Sequence, residues 1–174
     1  MVLSSGTSDQ DERTAAPRRG AGERWSRVIL LIVAAFESWT GLSSLPFLSE
    51  RVGGDFGDWV VTVSVALTAA FGSAALFFCV TDRLRYALTS IAAVVVLNWV
   101  NMLPSVVLHG LDFNGFGIVS DLGFILYPVL AVTAAVLART NERLLAASIL
   151  VSIPTLVNVA GTVAFAITVA LYGF

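Results

Sequence analysis

Lysine is absent from these 174 residues, and cysteine and histidine occur once each. Without lysine the chain has no Schiff-base former and no amine base. Cys79 alone forms no intrachain disulfide, and with His109 as the sole imidazole a Cys/His zinc site cannot be assembled. Charge is scarce as well: 13% of residues carry it, against roughly 25% in an ordinary soluble domain. A soluble globule of this size could not cover its surface with so little. The net charge of −2 gives no electrostatic footprint for nucleic acid. The sequence also lacks GxSxG, HExxH, a P-loop, CxxC and GxGxxG. No acidic cluster of the kind a metal-dependent lipid transferase needs is present, and no cofactor is expected.

What is present is apolar: 57% of residues are hydrophobic and the mean hydropathy is +0.86. Residues 1–27 stand apart, rich in Ser, Gly, Thr, Asp, Glu, Arg and Pro with no apolar period, and read as a disordered cytoplasmic leader. Five apolar stretches follow, Val28–Leu48, Trp59–Val80, Tyr86–Leu108, Ile118–Ala138 and Leu144–Leu171. Each has the roughly 20 residues that cross about 30 Å of hydrocarbon as a helix. The fifth is longer and contains Pro154, so a tilt or kink is expected there. The expected fold is an all-α integral membrane protein, a bundle of five transmembrane helices filling residues 28–174.

The basic residues give the orientation. Arg13, Arg18, Arg19, Arg24 and Arg27 precede the first stretch, Arg83 and Arg85 lie between the second and third, and Arg139 and Arg143 between the fourth and fifth. Only Arg51 falls on the other side, among Glu50, Asp55 and Asp58. The positive-inside rule then puts the N-terminus in the cytoplasm and the C-terminus outside, in an inner or plasma membrane. Trp25 and Tyr86 stand as anchors at the inner boundary, Trp59 and Tyr172 at the outer. The competing reading is a cleaved signal peptide, since Arg24 and Arg27 precede VILLIVAAF; no A-x-A-like site follows, and cleavage would leave four spans.

Lipid gives helices no hydrophobic reason to associate, so small residues must let them approach. Span 2 offers Ala66, Ala70 and Ala74 with Ala69 and Ser73 beside them, span 4 pairs Ala131 with Ala135 and Ala134 with Ala138, and span 5 pairs Ala160 with Ala164 beside Gly161. A shift of sixty residues superposes Ala74-Ala75 on Ala134-Ala135, Asp82-Arg83-Leu84 on Glu142-Arg143-Leu144, Ala87 on Ala147 and Asn98 on Asn158. Both hairpins run in the same sense, a parallel repeat.

The polar residues within the spans carry the functional signal. Glu37 is the tenth residue of the 21-residue first stretch, which is the midplane. Asn98, Asn158 and Tyr127 stand near the middle of spans 3, 5 and 4. Asn101 lies one turn beyond Asn98, Trp39 and Thr40 follow Glu37, Asp121 opens span 4 and His109 closes span 3. An ionisable group at this depth is a functional hypothesis by default. Hydrocarbon disfavours the charged form of a carboxyl, so proton uptake and release is the expected chemistry of Glu37. Trp39, Trp99 and Tyr127 are expected to wall a ligand pocket, Asn101 to extend it, and Asp121 to sit solvated or as a cap at the helix start. The bland alternative is that the buried amides and acid are interhelical glue. His109, beside Gly110, reads as solvated, and Asp112-Phe113-Asn114-Gly115 as a turn.

These residues support a small protein that binds or transports a small molecule or ion, with possible proton coupling. The runner-up is a non-catalytic accessory or assembly subunit of a larger membrane complex. A lipid isomerase using Glu37 as acid and base ranks third. The expected partners are the lipid bilayer, a small-molecule ligand, and a second copy or a partner membrane subunit; no nucleic acid is expected.

Overall fold

The computed structural model describes residues 20–50, 56–111, 117–139 and 143–173. They form five α-helices: α1 (Ala21–Ser44), α2 (Phe56–Val80), α3 (Leu84–His109), α4 (Gly117–Leu137) and α5 (Leu144–Tyr172). A 3-10 turn, Leu45–Glu50, extends α1, and no strand occurs among the described residues. Four of the helices, α1 with its extension, α2, α3 and α5, are long and apolar enough to cross a membrane. In α4 the apolar part is the shorter Asp121–Leu137.

Boundaries follow local chemistry. Helix α1 begins seven residues before its apolar run, so residues 21–27, expected in the leader, form its first two turns. Glu23 in that first turn favours the positive helix end. Residues 1–19, with Arg13, Arg18 and Arg19, lie outside the described residues, as do Arg51, Asp55, the Asp112–Gly115 turn and Glu142. Between α2 and α3 the chain turns on Asp82, the one non-glycine residue with positive φ among those described, at 61°. Asp82 N–H donates to the Cys79 carbonyl at 3.4 Å and Arg83 N–H to that of Phe78 at 2.8 Å. This is the paired closure in which the left-handed residue is usually glycine. An aspartate at that place has a purpose: its carboxylate holds Arg27 of α1 at 2.8 Å. After α3 a glycine ends the helix: Gly110 has φ 74° and its N–H donates to the Val106 carbonyl.

Helix α3 touches all four others, and α5 closes the ring by packing on α1 as well as α4. The core is made of small and branched residues, with Ala34, Ala75, Ala87, Ala134, Ala147, Leu30, Leu88, Ile91 and Val151 fully buried. Helices α1 and α2 approach each other closely. A Cβ on Gly41 would stand 2.6 Å from Cα of Ala69, and one on Gly72 would stand 2.9 Å from the Ser38 nitrogen and 3.1 Å from the Glu37 carbonyl oxygen. Ser38 and Ser73 share a hydrogen bond at 3.2 Å across the same seam.

The packing face of α2 is therefore Ser64, Thr68, Ala69, Gly72, Ala75 and Cys79. The expected stripe is corrected: Ala66 and Ala70 are exposed and Ala74 only half-buried. Alanines alone do not locate a contact face in a helix that is apolar all round. In α4 the expectation holds, with Ala131, Ala134 and Ala138 buried and Ala135 packed against them. In α5 it fails: Ala160, Gly161 and Ala164 are exposed, and no residue beyond Thr155 is buried. The sixty-residue relation does extend to packing. The buried positions of α5 are Leu144, Ala147, Ser148, Val151, Ser152, Pro154 and Thr155. Each stands sixty residues after a buried position of α3, from Leu84 to Val95.

Candidate functional site: a buried glutamate beside a cavity

Glu37 sits in the middle of α1 and is 4% exposed. Gly72 fixes its backbone by letting α2 approach the Glu37–Ser38 peptide, as above. Its side chain turns away from α2 toward α5, where the Thr155 hydroxyl donates to Oε1 at 2.6 Å. Asn98 of α3 stands beside the carboxyl on the wall of the same cavity. Three helices therefore converge on one carboxyl group. Paired in this way, the acid avoids the several kcal/mol that an isolated buried charge or an unmade hydrogen bond would cost.

Next to this carboxyl lies a half-open cavity of about 630 Å³, whose α5 wall beyond Thr155 is unburied. Its polar lining is Glu37, Asn98, Tyr127, Thr155, Asn158 and Thr162, and its apolar lining is Met102, Pro154, Val157, Gly161 and Phe165. These come from α1, α3, α4 and α5. The volume falls within the roughly 300–1,000 Å³ of small-molecule pockets. Tyr127 reaches the cavity with its ring folded back along α4: a Cβ on Gly123 would stand 2.8 Å from its Cζ. None of the lining residues is an arginine or a histidine.

The structure thus brings together Glu37, Asn98, Tyr127 and Asn158. The other four expected site residues go elsewhere. Trp39 is 72% exposed and lines no part of the cavity; two positions after Glu37, it projects from a different side of α1. Trp99 stacks on Phe124 of α4 with ring centroids 5.4 Å apart, and its buried indole nitrogen has no partner among the described residues. Asn101 turns to α2, where the Ser64 hydroxyl donates to it. Asp121 is neither solvated nor a cap. It is the fifth residue of α4 and 8% exposed, and one of its carboxylate oxygens has no partner among the described residues. His109 is exposed at the end of α3 as expected, with Nδ1 3.2 Å from the Ser105 carbonyl. No group of metal-ligating side chains occurs among the described residues.

Sequence reasoning missed Thr155, the direct partner of Glu37. A signal existed. Ser148, Ser152 and Thr155 recur at i, i+4 and i+7, a polar stripe on one face of α5, and all three are buried. Ser148 and Ser152 donate back to carbonyls of their own helix, at 2.7 and 2.6 Å. Thr155 alone reaches across to another helix. Asn158, three residues further on, lies at the cavity and is exposed.

No protein-family model, curated protein or solved structure matches this chain. Its reading therefore rests on its own residues.

Proposed function

We propose that the chain is a five-span protein of an inner or plasma membrane that binds or carries a small molecule or ion in this cavity, with Glu37 exchanging a proton. The N-terminus is cytoplasmic and the C-terminus external in this reading. Four helices have the length and hydropathy to span. The fifth, α4, has 21 residues, about 31 Å at ~1.5 Å per residue. Arg24, Arg27, Arg83, Arg85, Arg139 and Arg143 share one end of the bundle, which supports the orientation. The observation that carries the functional reading is a buried carboxyl lining a cavity of about 630 Å³, where a purely structural acid would pack without free space beside it.

Two substitutions test it in the full-length protein reconstituted in bilayers. Gly161→Trp fills the cavity from a position where an added Cβ meets nothing within 4 Å. It should abolish small-molecule binding with the helical content unchanged. Glu37→Gln keeps size and hydrogen bonding, and should abolish the pH dependence of binding. Binding that survives Gly161→Trp, or no binding by any member of a panel of cations, anions and neutral compounds, overturns the reading.

A second reading, an accessory subunit, draws on α5. Its length beyond Thr155 is unburied, and Asn158 offers an exposed amide on it. Co-purification of a stoichiometric partner in mild detergent would favour it, and full binding by the free monomer would count against it.

A further inference from the structure

The cavity's lining specifies a charge class of ligand. Glu37 is its one ionisable acid, and no arginine or histidine stands among the lining residues to balance an anion. Every polar group on the wall offers an oxygen acceptor: the carboxyl, the carbonyls of Asn98 and Asn158, and the hydroxyls of Tyr127, Thr155 and Thr162. The remainder of the wall is apolar, with Met102, Val157 and Phe165 giving room for a hydrocarbon body and Tyr127 and Phe165 giving aromatic faces. Aromatic faces attract cations. An inorganic ion would need a tight cage of oxygens and would leave most of about 630 Å³ unfilled.

Resting on the reading of the cavity as a small-molecule site, we propose that its ligand is an organic cation with an apolar or aromatic body, bound in exchange for the Glu37 proton. The exchange balances. The neutral carboxylic acid gives its proton to water, and the resulting carboxylate pairs with the incoming ammonium, so the site holds no net charge before or after. Neither state leaves an unpaired charge in a low-dielectric interior, which is the costly alternative. An anion brings a charge that nothing here neutralises. A neutral molecule gives the proton no reason to leave.

Three probes of one shape isolate the charge: (3-hydroxyphenyl)trimethylammonium, 3-tert-butylphenol and 3-hydroxybenzenesulfonate. The first carries a permanent cation, and in buffers at or below about pH 6 its phenol stays protonated, so any pH dependence there belongs to the protein. Binding to the full chain in lipid nanodiscs is followed by calorimetry in buffers of differing ionisation heat, which also counts protons. The expected result is at least tenfold tighter binding of the ammonium than of the phenol, no binding of the sulfonate, and proton release on ammonium binding. Glu37→Gln should remove both the preference and the proton release. Equal or tighter binding of the phenol or sulfonate overturns the cation assignment while the cavity remains a binding site. So does ammonium binding that is indifferent to Glu37→Gln or releases no proton. Failure of all three probes to bind overturns the site reading together with this one.

Discussion

The Thr155 hydroxyl donates to Oε1 of Glu37 at 2.6 Å, joining α5 to α1 across 118 positions of sequence. Because both groups are buried, the bond is an interhelical fastening as well as a restraint on the carboxyl's position. Replacing Thr155 with valine keeps the shape and removes the donor. Interhelical hydrogen bonds in membranes are worth about 0.6–2 kcal/mol, and a loss of about 1 kcal/mol is expected in bicelle unfolding titrations. Thr155→Ser should retain most of the stability. A loss for Thr155→Ser with none for Thr155→Val would mean that the methyl group, not the bond, matters.

Gly72 should tolerate no side chain. The atoms that a Cβ would meet at 2.9 to 3.1 Å are backbone atoms of Glu37 and Ser38, which cannot swing aside. Gly72→Ala is therefore expected to cost about 1–3 kcal/mol, as overpacking does. Gly161→Ala meets nothing within 4 Å and should be neutral or gain up to about 1 kcal/mol from helix propensity. Thermal unfolding of the two variants side by side checks the contrast.

Asn98 and Asn101, one turn apart on α3, should separate functionally. Asn101 serves the α3–α2 contact through Ser64, and Asn98 stands beside the carboxyl on the cavity wall. Asn101→Leu should lower stability by about 1 kcal/mol and leave ammonium binding intact. Asn98→Leu should weaken ammonium binding at least tenfold. Reversed phenotypes would assign the wrong asparagine to the site.

Asp82 combines two roles that two substitutions can part. Asp82→Asn keeps a residue that accepts the left-handed backbone but removes the ion pair with Arg27. That half-exposed pair is worth at most about 1 kcal/mol and weakens with salt. Asp82→Val adds a β-branched side chain at φ 61°, with a further penalty of about 1–2 kcal/mol that salt does not alter. Unfolding at low and high ionic strength distinguishes the two contributions.

Depth was legible in the sequence and direction was not. Counting along an apolar run places Glu37, Asn98, Tyr127 and Asn158 at comparable heights, and the cavity gathers all four. Rotation about the helix axis has no such ruler, because helices apolar on every side carry little amphipathic signal. Trp39 and Asn101, at suitable depth, therefore point to other surroundings. The alanine stripe of α2 misled for the same reason, since Gly72 and Ser64 mark the contact instead. Thr155 was overlooked because hydroxyls that bond their own helix, as Ser148 and Ser152 do, look identical in sequence to one that reaches across.

Helix α5 has 29 residues, roughly 43 Å at ~1.5 Å per residue, against about 30 Å of hydrocarbon. Its N-terminal half is packed into the bundle as far as Thr155, while the C-terminal half carries Asn158, Gly161, Thr162 and Phe165 of the cavity wall. The mismatch must be absorbed by the half that is free to lean. With α5 as a span, bilayer thickness would act as a lever on the width of the site: thin membranes would lay the C-terminal half over, and thick ones would draw it upright. On the proposed reading, occupancy of the cavity would be coupled to the lipid around it, and the protein in short-chain and long-chain phosphatidylcholine would present two different openings to a ligand.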